Sequence, residues 1–241
     1  MHTTASDGTM SPQAVVNAVL LAQLTTHDPP LRVIAITDHD TLAGAITALD
    51  YLKTYHQDAE LEIIVGAEIS SADGHILGLN IRKNIPRDLP AAETIAAIHD
   101  AGGLAIAAHP YAYIPFLKGL KGMKGLIADS SVGATLDAIE VCNANPTELL
   151  NNHLTRWINS RNLGRPEVGG TDSHFLSALG RAGTVFPGKT VGDLLLAIRQ
   201  GTTRAVGSVY GPFAILEYAR DRLAWKQFCS LDPIKRSVHD W

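Results

Sequence analysis

The chain has 241 residues, 46% hydrophobic and 18% charged, enough apolar content for a core and too much for a chain disordered throughout. Lys+Arg 20 against Asp+Glu 24 gives a net charge of -4 with no basic block, which argues against a protein that coats nucleic acid non-specifically. Two cysteines, Cys142 and Cys229, against ten histidines exclude a disulfide framework and point to imidazole and carboxylate chemistry.

In chain order, Ser11 and Pro12 supply an N-cap and a first-turn proline for a helix to about Thr26. The apolar run 31–37 reads as a strand, and a helix follows over 41–55. Residues 61–67 form a second strand, with a weaker candidate at 75–79. A helix over 89–101 stops at Gly102-Gly103, a pair suited to a left-handed C-cap. Strands over 104–108 and 138–142 flank a Gly- and Lys-rich stretch, 114–131, that reads as a long loop. On it, Lys118, Lys121 and Lys124 are placed to meet an anion or to lie on a mobile segment. Asn145-Pro146-Thr147-Glu148 opens a helix to about Asn162. A strand over 183–186, a helix over 190–200 stopped by Gly201 and a weaker strand over 203–207 follow. An amphipathic helix over 212–228 is expected outside the rest.

Strands that are apolar on both faces belong to parallel sheets covered by helices. Alternating strands and helices, joined by right-handed crossovers, predict an α/β barrel or doubly wound sheet. We expect one domain over 1–241, with 212–241 packed outside the barrel. No stretch approaches the ~20 apolar residues of a membrane helix. No basic start leads into an apolar block, so the expected location is cytoplasmic, with no membrane partner.

Polar residues that follow the apolar runs form a pattern. The first strand leads into Asp38-His39-Asp40, the second into Glu68, the third into His109, and Glu167-Val168-Gly169-Gly170-Thr171 into Asp172-Ser173-His174. Parallel strands deliver their C-terminal ends to one face, where ligands bind. His2 and Asp7 precede the first helix and can join them; Asp172 and His174, at i and i+2, point the same way on an extended strand. Mixed nitrogen and oxygen donors suit Zn, Mn or Fe ions. Taken alone, His109 before Pro110 also fits a hydrogen-bonded core histidine, and Asp38 and Asp40 fit supporting or helix-capping groups.

The segments 2–8, Thr37-Asp38-His39-Asp40, Gly66-Ala67-Glu68-Ile69, Ala108-His109-Pro110 and Gly170-Thr171-Asp172-Ser173-His174, in that order, resemble the sequential motifs of the PHP (polymerase and histidinol phosphatase) family. The resemblance implies a distorted (β/α)7 barrel and a phosphoesterase with two or three divalent metal ions. It assigns His2 and Asp172 to one metal, with Glu68 bridging to a second held also by His75 and His109. Asp7, His39 and His174 go to a third. The family's first motif is His-x-His, and Met1 stands at its middle position. The expectation is therefore a barrel lacking most of its first strand, a first metal short of one imidazole, and a start site assigned too far downstream.

Three such cations against three carboxylates leave a positive cluster suited to phosphate. A metal-activated hydroxide held by Glu68, His109 and Asp172 would attack phosphorus in line. His109 and His174 read better as ligands than as proton donors. Arg181 is the candidate phosphate clamp, or else a surface arginine, and Asn143 lines the pocket or makes a turn. The expected partner is a small phosphomonoester or a nucleotide, without a stable nucleic-acid complex. The alternatives are a non-catalytic metal-binding module and an exonuclease-like enzyme acting on oligonucleotide ends.

Overall fold

The computed structural model describes residues 1–25, 30–111 and 135–211, together with helical positions between 213 and 223. Among the described residues there are eight strands: β1 (Val33–Ile36), β2 (Glu62–Ser71), β3 (Gly74–Leu79), β4 (Leu104–Ala107), β5 (Ala138–Asn143), β6 (Glu167–Gly170), β7 (Ala182–Val185) and β8 (Arg204–Gly207). The principal helices are α1 (Pro12–Thr25), α2 (Ala43–Tyr55), α3 (Ala91–Asp100), α4 (Leu149–Ile158) and α5 (Val191–Gln200). The loop expected over 114–131 and its lysines lie outside the described residues. So does most of the outer segment 212–241.

The first six strands form one curled sheet in the order β1-β2-β3-β4-β5-β6, and β7 pairs with β8 in a separate hairpin. The pairs β1–β2, β4–β5 and β5–β6 are parallel, as the apolar runs predict. The pairs β2–β3 and β3–β4 are antiparallel, which corrects the expected unbroken strand–helix alternation. The cause is local: only Ala72 and Asp73 separate β2 from β3, and a parallel return needs a dozen residues or more.

Local signals account for the helix ends. Thr190 and Asp193 form a reciprocal capping box at the start of α5, and Gly201 (φ 66°) closes it in the left-handed region. Gly102 takes the same kind of backbone (φ 80°) after α3. Asn145 caps the turn Pro146–Glu148 that leads into α4, but Glu148 bonds to Asn151 and Thr147 instead of completing a box. Asp40 does not cap α2, whose N-cap is Leu42; its Oδ1 accepts Ser70 N–H at 2.7 Å and so ties the end of β1 to β2.

Two layers of apolar side chains bury the sheet. Val15, Val16 and Val19 of α1 pack with Ala45 and Ala48 of α2 over β1, while Ile95 and Ile98 of α3 lie against β3 and β4. Among the described residues no strand pairs with the far side of β1. There Met1 makes a short extended link: Thr37 N–H donates to Met1 O (2.9 Å) and His2 N–H to Ser173 O (2.9 Å). Below that link a cavity of about 170 Å³ opens inside the curl, lined by Val33, Ile64, Ile106, Val168 and Ile198. Between β6 and β7 a side chain replaces a ladder: Thr184 Oγ1 accepts Gly169 N–H (3.0 Å) and donates to Gly169 O (3.1 Å).

Candidate metal centre

All the strand ends that carry candidate ligands meet at one end of the sheet. Thr37-Asp38-His39 leaves β1, and His39 forms a parallel bridge with Glu68 on the long strand β2. In the β2–β3 ladder His75 lies opposite Ser70, two residues from Glu68, so the hairpin sets both side chains on one face. His75 Nδ1 comes within 2.7 Å of Glu68 Oε1. His109 follows β4 and places Nε2 at 3.1 Å from the same oxygen. Asp172 and His174 follow β6.

The N-terminal loop completes the ring. His2 Nε2 lies 3.1 Å from Glu68 Oε2 and 3.2 Å from Asp172 Oδ1. Asp7 Oδ2 lies 3.2 Å from His174 Nε2 and 3.9 Å from His39 Nε2. Buried Asp38 holds this loop by accepting from Thr3 N–H (2.6 Å), Thr3 Oγ1 (2.8 Å) and Ser6 Oγ (2.7 Å). It supports the ring without belonging to it.

Three sets of donor atoms lie within 4.8 Å of one another: His2, Asp7, His39 and His174; His39, Glu68 and His75; and His2, Glu68 and Asp172. The structure thus brings all eight expected side chains into one cluster. His109 joins through Glu68, while His2 and His39 each reach more than one set.

The electrostatics fit cation binding. Burial disfavours a charged His2, yet hydrogen bonds to Asp172 and Glu68 override it and raise its pKa to about 10. His109 behaves likewise: burial opposes the charge, Glu68 favours it, and the pKa rises to about 10. Burial favours neutral carboxyls at Glu68, Asp7 and Asp172, but the surrounding imidazoles hold all three below the ordinary range. Burial, helped by charge repulsion from His2 and His75, lowers His39 despite Glu68 and Asp7. His2 and His174 stack with ring centroids 4.3 Å apart, an arrangement poorly suited to two protonated rings. The Nδ1 atoms of His2, His75 and His109 are buried and make no well-aligned hydrogen bond, although His75 Nδ1 lies 2.7 Å from Glu68 Oε1 and His2 Nδ1 3.5 Å from Asp7 Oδ1. Imidazole nitrogens crowded against carboxylate oxygens without hydrogen-bond alignment are a donor set that divalent cations would satisfy.

The two residues expected at the phosphate fare differently. Arg181 is exposed, and its carbonyl receives Ser208 N–H at 3.0 Å. Asn143 lines the cavity, but its amide is committed: Nδ2 donates to Glu140 (3.1 Å) and Asp172 (3.3 Å), and Oδ1 accepts Asn145 N–H (2.8 Å). Asn143 thereby braces Glu140 and Asp172 at the edge of the cavity. Sequence reasoning missed Glu140, which is 5% exposed and accepts His109 N–H at 2.9 Å. Burial pushes its pKa up to about 7. Its only sequence signal is a carboxylate inside an otherwise apolar strand.

Comparison with known proteins adds to this geometry. A family model described as PHP-associated matches residues 156–203. An uncharacterised protein of Methanocaldococcus jannaschii is 38% identical over 114 residues, 47% of this chain and 59% of that one. A 5'-3' exoribonuclease of Haemophilus influenzae is 36% identical over 90 residues, 36% of this chain and 29% of the enzyme. Neither match reaches two thirds of the relative's own length. Among solved structures, a two-domain protein of Bacteroides vulgatus containing a predicted PHP-like metal-dependent phosphoesterase superposes with a TM-score of 0.59. It is 18% identical, and the match covers 86% of this chain and 63% of that one. That likeness establishes a shared fold.

Proposed function

We propose that the chain carries a PHP-type domain and is a metal-dependent phosphoesterase acting on a small phosphomonoester. The observation that carries the reading is the convergence of five histidines and three carboxylates, with buried imidazole nitrogens crowded against carboxylate oxygens outside good hydrogen-bond geometry. His2, Glu68 and Asp172 would hold one cation, with Glu68 shared by a second at His75 and His109. Asp7, His39 and His174 would hold a third. Bound Zn, Mn or Fe ions would lower the pKa of a coordinated water and neutralise charge on a phosphate.

The chain's own contribution is placement. Glu68 offers its two oxygens to different partners, Oε1 to His75 and His109 and Oε2 to His2, and so would be available to two ions at once. Asp38 fixes the loop that brings His2 and Asp7 over the strand ends. Arg181, exposed beyond His174, is the proposed contact for the phosphate oxygens. Replacing it by alanine should raise KM more than it lowers kcat.

A second reading is hydrolysis at a nucleic-acid end, favoured by the stretch that is 36% identical to an exoribonuclease. The test is turnover of p-nitrophenyl phosphate, a panel of phosphorylated metabolites and a 5'-phosphorylated oligonucleotide with Mn²⁺ or Zn²⁺. His39→Ala and Asp172→Ala should each abolish turnover. Cleavage confined to the oligonucleotide would favour the second reading, and activity surviving in both variants would remove the cluster from the chemistry.

A further inference from the structure

We propose that Glu140 is a positioning residue that, through hydrogen-bond acceptance, holds the His109 backbone directly and the Asp172 carboxylate by way of Asn143 where they reach the metal centre. The proposal rests on the reading that the cluster binds divalent cations. Glu140 sits on β5, between the strands that deliver His109 and Asp172, and belongs to none of the donor groups found among the described residues. Its Oε2 receives both His109 N–H (2.9 Å) and Asn143 Nδ2 (3.1 Å), and the same Asn143 nitrogen lies 3.3 Å from Asp172 Oδ2. One carboxylate therefore links the two ligand-bearing segments.

Both segments need holding. His109 (φ 27°) and Asp172 (φ 46°) are non-glycine residues in the left-handed region, which side chains with a Cβ rarely adopt. A backbone N–H bonded to a buried carboxylate offsets that strain at His109. Asn143 cannot turn away, because its backbone N–H donates to Asn152 Oδ1 (2.9 Å), its carbonyl accepts from Asn152 Nδ2 (2.8 Å), and its Oδ1 is taken by Asn145. The neighbouring strand leaves room for this carboxylate. At Gly170 on β6 an added Cβ would lie 2.6 Å from Glu140 Oε1.

The test is Mn²⁺ binding by calorimetry, with the melting temperature of the metal-free protein measured alongside. Glu140→Met keeps volume and removes the acceptor, and should weaken Mn²⁺ binding by about tenfold or more, the usual cost of losing a group that orients ligands. Glu140→Gln keeps an acceptor oxygen and should restore affinity to within about threefold of wild type, well inside that range. Gly170→Ala displaces the carboxylate without altering it and should weaken binding as Glu140→Met does; it decides the matter if Glu140→Met does not fold. Wild-type affinity in Glu140→Met or in Gly170→Ala overturns the proposal. So does Glu140→Gln binding as poorly as Glu140→Met, since charge rather than hydrogen-bond acceptance would then be responsible. A lower metal-free melting temperature with unchanged affinity would show a purely structural role. If wild type itself binds no Mn²⁺, the reading of the cluster fails, a result distinct from any of these.

Discussion

At the residue scale, protons and cations compete for the same nitrogens. His2 and His109, raised to about 10 by neighbouring carboxylates that overcome burial, are protonated in the metal-free protein at neutral pH. Cations binding there must displace those protons, so affinity should rise with pH up to about 10, and about two protons should be released at neutral pH. Calorimetry in buffers of different ionisation heat checks this; a heat independent of buffer would contradict it. For the metal-free protein the signs run in both directions. Raised histidine pKa values add stability that is complete below about 6.5 and lost as pH climbs towards 10. Depressed carboxyl values at Asp7, Glu68 and Asp172 add stability that is complete above about 4.5 and lost as pH falls. A melting profile in chelator should therefore peak in the window from about pH 4.5 to 6.5. A maximum on the alkaline side would show that other groups dominate.

At the scale of elements, local chemistry was written plainly in the sequence wherever it was local. Thr190, Asp193 and Gly201 mark both ends of α5, and the structure uses all three as expected. Thr190→Ala should cost about 1 kcal/mol in urea denaturation, because it leaves an orphan N–H in the first turn. The β2–β3 hairpin was missed although Asp73-Gly74 is a strong hairpin-turn pair, because the expected strand–helix alternation was carried past it. Yet that hairpin is what sets His75 beside Glu68. Asp40 was left between a supporting group and a helix cap, and only the fold decides between them, because its partner, Ser70, lies 30 residues away. The ligands themselves were visible because strand ends share one face, a rule of topology. Glu140 was hidden because it acts on the backbone of a residue 31 positions earlier.

At the scale of the whole molecule, the centre ties together the N-terminal loop and the ends of β1, β2, β3, β4 and β6, segments otherwise held by separate apolar layers. Cations there should act as cross-links between those layers. Loading to 100-fold above Kd adds about 2.7 kcal/mol, so stripping with EDTA should lower the melting temperature by several degrees. An unchanged melting temperature after verified metal loading would mean that the site does not couple to folding.

The hydroxyl of Thr184 gives the assembly a hinge pin. One oxygen serves both the N–H and the carbonyl of Gly169, and Cys142 Sγ donates to Val206 O (3.5 Å), so the β7–β8 arm is fastened to the main sheet by side chains instead of along a backbone zipper. Swapping that oxygen for a methyl group in Thr184→Val should leave the arm's own pairing intact while exposing the Gly169 amide to solvent deuterium. Exchange should quicken there first, and the arm should swing before the remainder melts.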